Sequence, residues 1–332
     1  MADAPDERAI PTADEVERAR SLLRQHLRPT RLVRAESLER ATGGEVYLKL
    51  ESELPTGSFK PRGALFALLE TARARPVSRV VAASTGNHGA AVAFAARQAN
   101  LPATIFLPEK ANPVKRARIE RLGAVIVERG QADLSAAIEG ASALAASDPG
   151  IYFLADTTDP LVPAGTATIA SEILDELADP DAIIVPMGDT ALIRGVASEA
   201  RRRARGVHIV GVQPHQSPAY VLSWREGRPV ETATCDTIAD GLAVRHPLAP
   251  NVRAIRSVVD ETRLVSEDEM LAAMGALLAD EHVVAEPSGA AATAALLQDP
   301  AAYRGRRVVL LVTGANAPID VLRRALAAAS GP

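Results

Sequence analysis

Short runs rich in Val, Ile and Leu recur along this chain, separated by longer amphipathic stretches, and this alternation restricts the fold more than any other feature. The runs are Glu45–Leu50, Arg79–Ala83, Ala103–Leu107, Ala124–Val127, Ala182–Pro186, Val207–Val212 and Arg307–Val312. Most lack polar alternation, as expected of strands buried on both faces. Helical stretches fall between them, at about Phe59–Glu70, Asn87–Gln98, Pro113–Leu122, Leu134–Ala146, Ala164–Leu177, Ala191–Ala204 and Ile319–Ala329. Strand–helix alternation of this kind predicts an α/β protein with open parallel sheets and helices on both faces. A length of 332 residues suggests about two domains. Residues 55–149 hold their own βαβα series, which predicts a small domain inserted into a larger one built from residues 1–54 and 150–332. Ligands of such sheets lie beyond the carboxyl ends of strands, often between domains.

The net charge of −4 argues against a nucleic-acid partner, which normally requires a basic excess. The run Arg201–Arg205 reads as a solvated helix end, where cations suit the dipole. Cys235 is the only cysteine, so the chain can form no internal disulfide and no cysteine-based zinc site. The polar N-terminus lacks the apolar core of a signal peptide, and no apolar run is long enough to cross a bilayer. A cytoplasmic protein with no membrane partner is expected, with no regulatory module after Pro332.

Lysine is scarce. Of 37 basic residues other than histidine, only Lys49, Lys60, Lys110 and Lys115 are lysines. Arginine does not deprotonate in a protein, whereas a desolvated lysine amine can lose its proton and attack a carbonyl. Lys60, in Ser58-Phe59-Lys60-Pro61-Arg62-Gly63, is therefore a Schiff-base candidate; a solvated surface lysine is the plainer alternative. Directly after one strand, Ser84-Thr85-Gly86-Asn87-His88-Gly89 opens a helix, and small residues there can offer several N–H groups to a carboxylate. The same residues would also make a capping turn with no ligand. Gly188-Asp189-Thr190-Ala191-Leu192 follows another strand, where a helix N-terminus could hold a phosphate, and Thr313 ends the last strand in the same cleft or in a plain turn.

Together these motifs resemble the fold-type II pyridoxal-phosphate enzymes, in particular the serine/threonine dehydratase and serine racemase branch. The likeness runs from about Thr30 to the C-terminus, with Thr237–Gly241 and Glu286–Ala290 as weaker support. It implies the tryptophan synthase beta-like fold, with pyridoxal 5'-phosphate in the interdomain cleft. Lys60 would be the Schiff-base lysine, with Phe59 and Gly241 flanking the cofactor ring and Asn87 at its phenolic oxygen. Ser84, Thr85, Asn87 and His88 would surround the substrate carboxylate. Gly188, Asp189, Thr190, Ala191 and Leu192 would hold the phosphate, Thr313 would face the pyridine nitrogen, and Glu286 would lie close by. The implied reaction is α,β-elimination of a β-hydroxy amino acid such as L-threonine or L-serine to a 2-oxo acid and ammonia. Freed Lys60 would remove the α-proton, and a hydroxyl at Thr313 in place of an aspartate would favour prompt elimination. A homodimer is expected by the same likeness.

Several residues depart from that pattern. Dehydratases of the branch carry glycines where this chain has Asp189, Thr190 and Ala191, so Asp189 is expected to point away from the phosphate, capping the helix or meeting an arginine, while Thr190 adds a hydroxyl. Residues 156–168 also differ and would lie near the substrate side chain, leaving 3-hydroxyaspartate and 3-phenylserine as alternatives. Racemases of the branch carry serine where Thr85 stands, and carboxylates in the loop here read Val212–Ala219; without them no metal is expected there. β-Replacement enzymes usually have aspartate where Pro61 stands. Racemisation, β-replacement and a non-enzymatic cofactor-binding role remain the other readings.

Overall fold

The computed structural model describes residues 9–84, 86–109, 111, 113–130 and 134–329. Strands β1 (Leu32–Arg34), β2 (Glu45–Leu50), β7 (Ala182–Pro186), β8 (His208–Pro214), β9 (Glu261–Val265) and β10 (Arg307–Val312) form one sheet in the order β1-β2-β10-β7-β8-β9. Strands β3 (Arg79–Ala83), β4 (Ala103–Leu107), β5 (Val125–Glu128) and β6 (Ile151–Phe153) form a second, in the order β5-β4-β3-β6. Every residue of β4 and β7 is buried, which is why their sequences show no polar alternation.

All pairs are parallel except β1 with β2, which run antiparallel with Leu32 opposite Lys49. Only residues 35–44 connect them, and a parallel crossover takes about a dozen residues or more. The short helix α2 (Glu36–Thr42) occupies that link and ends at Gly43, whose φ of 71° reverses the chain. The second sheet takes its last strand from residues 151–153, beyond residue 149.

Helix α1 (Ala13–Leu23) starts at a capping box in which Thr12 and Glu15 exchange hydrogen bonds. Its buried Ala19 and Leu23 join a core with Leu65, Phe66, Val80, Val92 and Ile105, so the N-terminal helix packs with the smaller sheet's elements. Helices α3 (Pro61–Ala74), α7 (Val162–Glu176) and α8 (Ala191–Arg203) cross closely at glycines. A Cβ on Gly165 would lie 2.3 Å from the Arg62 carbonyl, and one on Gly195 would lie 2.3 Å from that of Pro163. The larger sheet is covered on one face by a core containing Val46, Val210, Met274 and Ala291, and on the other by Ile169, Ile183, Val196 and Ile255. Among the described residues, no helix is long and apolar enough to cross a membrane.

Candidate active site

The loops that follow β2, β3, β6, β7 and β10 converge between the two sheets, at the carboxyl ends of their strands. Lys60 is the N-cap residue of α3, with Pro61 in the first helical position, where its missing N–H costs no helical hydrogen bond. Its loop is stitched to the end of β10: the Phe59 N–H donates to the Thr313 carbonyl (3.0 Å), that of Ala315 to Gly57 (2.9 Å), and Ser58 bridges to Gly314. Gly57 makes this turn at φ 69°. The position of the lysine is therefore fixed by the larger sheet rather than by a free loop.

The Lys60 ammonium donates to Asp156 Oδ2 at 2.5 Å and lies 3.5 Å from Asp189 Oδ2. Burial by itself would lower the lysine's pKa, but the carboxylates of Asp156 and Asp189 outweigh it and hold the pKa above the usual lysine range. Asp156 is affected in the opposite sense: burial favours its neutral form, but His88 and Lys60 bring its pKa well below the carboxylate norm. Asp189 is raised, by burial first and then by the neighbouring charge of Asp156.

Asp189 meets one of the two expected partners: its Oδ1 accepts from the Ala191 N–H (3.3 Å) and so caps α8, while among the described residues no arginine pairs with it. Its Oδ2 instead lies 3.5 Å from the Lys60 ammonium, a contact the sequence did not indicate. The Lys60 amine must lose its proton before it can attack a carbonyl, so covalent capture of a carbonyl cofactor by the cofactor-free protein is expected to accelerate about tenfold per pH unit below the lysine's pKa. Asp189→Asn removes one of the two charges that hold the proton and is expected to speed capture by about tenfold at pH 7, read by stopped-flow absorbance. An unchanged rate would mean that Asp156 alone sets the lysine's proton affinity.

Asn87, the first residue of α4 (Asn87–Gln98), ties the two halves together. Its Nδ2 donates to Glu286 Oε1 (2.6 Å), and its Oδ1 accepts from Asn316 Nδ2 (2.8 Å), which also donates to the Thr56 carbonyl just before Lys60. Glu286 Oε2 is 3.1 Å from Lys115 Nζ, which also donates to Asp240 at 2.6 Å and 2.8 Å. Lys115 is buried and comes from α5 (Pro113–Arg121), so a lysine from one half sits between two carboxylates of the other.

Phe59, Lys60, Asn87, Gly188, Asp189, Leu192, Gly241, Glu286 and Thr313, all singled out in the sequence, line one cavity. Thr190 and Ala191 lie at the α8 N-terminus beside it. Ser84 accepts from the Gly86 N–H (2.9 Å) and so shapes its own loop. The His88 ring bonds through Nε2 to the Leu154 carbonyl (2.8 Å) and turns Nδ1 toward Asp156 Oδ2 (3.5 Å). Thr85 lies outside the described residues. Sequence reasoning placed the segment beginning at Asp156 near the substrate but missed its contact with Lys60, and it did not single out Lys115, Asn316 or Ser288. The scarcity of lysine was a usable signal for Lys115, but nothing local in the sequence shows that Asp156 reaches Lys60 across 96 residues.

The residues fit a phosphate-bearing carbonyl cofactor. Thr190 adopts φ 77° at the start of α8, and its buried hydroxyl has no hydrogen-bond partner among the described residues; the same is true of the Ser288 hydroxyl beside Thr313. The first turn of α8 also presents N–H groups that no helical carbonyl can take. A Cβ on Gly188 would lie 2.6 Å from the Gly241 carbonyl, so only glycine leaves the backbone free to approach there.

A two-sheet α/β protein with a half-buried lysine in its cleft and, nearby, a helix N-terminus carrying an unpartnered buried hydroxyl has the parts of a carbonyl-cofactor enzyme. Residues 23–314 match the family described as pyridoxal-phosphate dependent enzyme, and the chain belongs to that family; its cofactor is pyridoxal 5'-phosphate. It is 34% identical over 313 residues to an L-threonine ammonia-lyase of Thermotoga maritima, covering 94% of this chain and 77% of that one. It is 29% identical over 314 residues to a beta-hydroxyaspartate dehydratase of Paracoccus denitrificans, covering 94% and 98%. Among solved structures, the processed form of threonine deaminase isoform 2 from Solanum lycopersicum superposes with a TM-score of 0.88 at 28% identity, covering 99% of this chain and 94% of that one.

Proposed function

We infer that the protein is a lyase that removes water from a β-hydroxy amino acid, L-threonine or L-serine in the first place, to give a 2-oxo acid and ammonia. The observation that supports this best is the half-buried Lys60 amine, set at the carboxyl ends of the strands in one cavity with Asn87, Gly188 and Thr313. Bound pyridoxal phosphate supplies an electron sink for the charge left when the α-proton departs. The chain's residues hold the geometry and move the proton.

In this reading the α8 N-terminus and the Thr190 hydroxyl hold the phosphate, and Phe59 and Gly241 pack against the ring. The loop Ser84–His88 receives the substrate carboxylate. Lys60 Nζ would take the proton from Cα, the β-hydroxyl would leave as water with a proton from a nearby acid such as the cofactor's phosphate, and the released enamine would hydrolyse with a second water to the 2-oxo acid and ammonia. Thr313 offers a neutral hydroxyl at the end of β10 and cannot act as an anionic proton holder. Glu286 acts through Asn87, which it orients by the 2.6 Å hydrogen bond. A Schiff base at Lys60, a homodimer and a cytoplasmic location complete the reading. Sedimentation giving a mass near that of a single chain would remove the homodimer.

The purified protein with pyridoxal phosphate is expected to release 2-oxo acid from at least one of L-serine, L-threonine and 3-phenylserine. Failure with all three, in a protein that has captured its cofactor, would shift the assignment to racemisation or β-replacement.

A further inference from the structure

We infer that Asp189 and Asp156 act as a proton-sharing pair, which takes up a proton as the cofactor's phosphate seats at the start of α8 and so keeps a single negative charge. The pairing rests on the phosphate seat proposed above. The starting observation is a conflict of charge. The first turn of α8 favours an anion, yet Asp189 already sets a carboxylate there, its Oδ1 accepting from the Ala191 N–H at 3.3 Å. Next to it, Thr190 carries a buried hydroxyl with no hydrogen-bond partner among the described residues. Asp156 arrives from the loop after β6, and the two carboxylates share one ammonium. Lys60 Nζ is 2.5 Å from Asp156 Oδ2 and 3.5 Å from Asp189 Oδ2. One cation thus faces two half-buried anions, and a phosphate beside them adds negative charge where water screens little.

The other charged and titratable groups around the pair leave that excess in place. Arg194, on α8, acts on both aspartates through space, but its Nη1 and Nη2 donate to the carbonyls of Ala9 and Thr157. His88, on α4, turns Nδ1 toward Asp156 Oδ2 from 3.5 Å, too far for a short charge-assisted bond. Tyr220, on α9 (Ala219–Glu226), meets Asp189 only through its field, and its hydroxyl accepts from the Leu248 N–H and from Asn251.

The proton settles on Asp189. Burial first, and then the charge of Asp156, push its pKa up. Against burial, His88 and Lys60 keep Asp156 ionised. The two carboxyls are hydrogen-bond partners, so a neutral Asp189 donates to a charged Asp156. In that form Asp189 can stay at the start of α8 without opposing a phosphate. Glycine, with no side chain, would need no such proton.

The test reads binding and protons, apart from turnover. The probe is pyridoxine 5'-phosphate, which carries the phosphate and offers Lys60 no carbonyl. Calorimetry in two buffers of different ionisation enthalpy would count the protons that the full-length, cofactor-free protein takes up on binding it. At about pH 8 the phosphate is already a dianion, and uptake of about one proton per site is expected. The affinity should then weaken by about tenfold per pH unit between about pH 7 and pH 8.5. Asp189→Asn is expected to take up no proton, to lose that pH dependence and to bind at least about tenfold tighter at pH 8. Asp189→Gly is expected to do the same, which guards against a misfolded first variant. Asp156→Asn removes the acceptor of the shared proton and should at least halve the uptake. Native binding without proton uptake would overturn the proposal, because Asp189 would then stay ionised or swing away. Uptake that persists in both Asp189 variants would also overturn it and pass the proton to His88. No binding of the probe by the native protein or any variant at any pH would remove the phosphate seat itself, and the pair with it.

Discussion

Lys60→Ala is expected to lower 2-oxo acid formation by at least about 10³-fold, since in the proposed function it removes both the covalent anchor of the cofactor and the base that takes the α-proton. The variant should still fold, because the Lys60 loop is held by backbone hydrogen bonds from Phe59 and Ala315 and the lysine side chain takes no part in them. Borohydride reduction followed by mass spectrometry should find a cofactor adduct on the native protein and none on the variant. A variant that keeps more than about a tenth of the activity would place the chemistry on another residue, with buried Lys115 the first to examine.

Arg62→Ala carries the largest expected loss of stability, about 3–5 kcal/mol. Arg62 is 1% exposed and donates to both oxygens of Glu51 (2.8 Å and 2.9 Å) and of Glu172 (2.6 Å and 2.8 Å). Burial alone would depress the arginine's pKa, but those carboxylates raise it above the normal value, so its charge is secured by the same contacts that bury it. Removing the guanidinium leaves Glu51, which is fully buried, with only the Thr30 hydroxyl at 2.7 Å among the described side chains, whereas Glu172 retains Lys49 at 2.6 Å. The thermal midpoint should fall by on the order of 5–15 °C. Arg62→Lys should restore only part, because an ammonium cannot bridge two carboxylates in a planar fork. A loss under about 1 kcal/mol would mean that water reaches the network and screens it.

Much of the architecture is legible in the sequence because its signals are local. The runs 79–83, 103–107, 182–186 and 307–312 form strands with the expected ends, since each is short, apolar and followed by turn residues. What escaped notice lacks such a signal. β1 and β6 are three residues each, and β9 reads Glu-Thr-Arg-Leu-Val at the sheet's edge, where only alternate residues need burial. α12 (Pro287–Gln298) is rich in alanine and buried nearly throughout, so it shows no amphipathic period. α11 (Glu267–Asp280) has a readable start, the capping box of Ser266 and Glu269, that could have located it.

The site divides in the same way. Glycine, hydroxyl and amide residues clustered at strand ends are a sequence property, and so is the scarcity of lysine. Lys49 and Lys115 prove to be buried against carboxylates, and Lys60 is half-buried against two, as befits residues retained in an arginine-rich chain. By itself the sequence determined the alternating α/β plan and the family, and singled out Lys60 as the candidate amine, because periodicity, turn chemistry and motif spacing act over a few residues. Only the tertiary structure decided which charges surround that amine. Asp156, Asp189, Glu286 and Lys115 come from four separate loops and helices, and Coulomb interactions depend on distances that the fold sets and the sequence does not display.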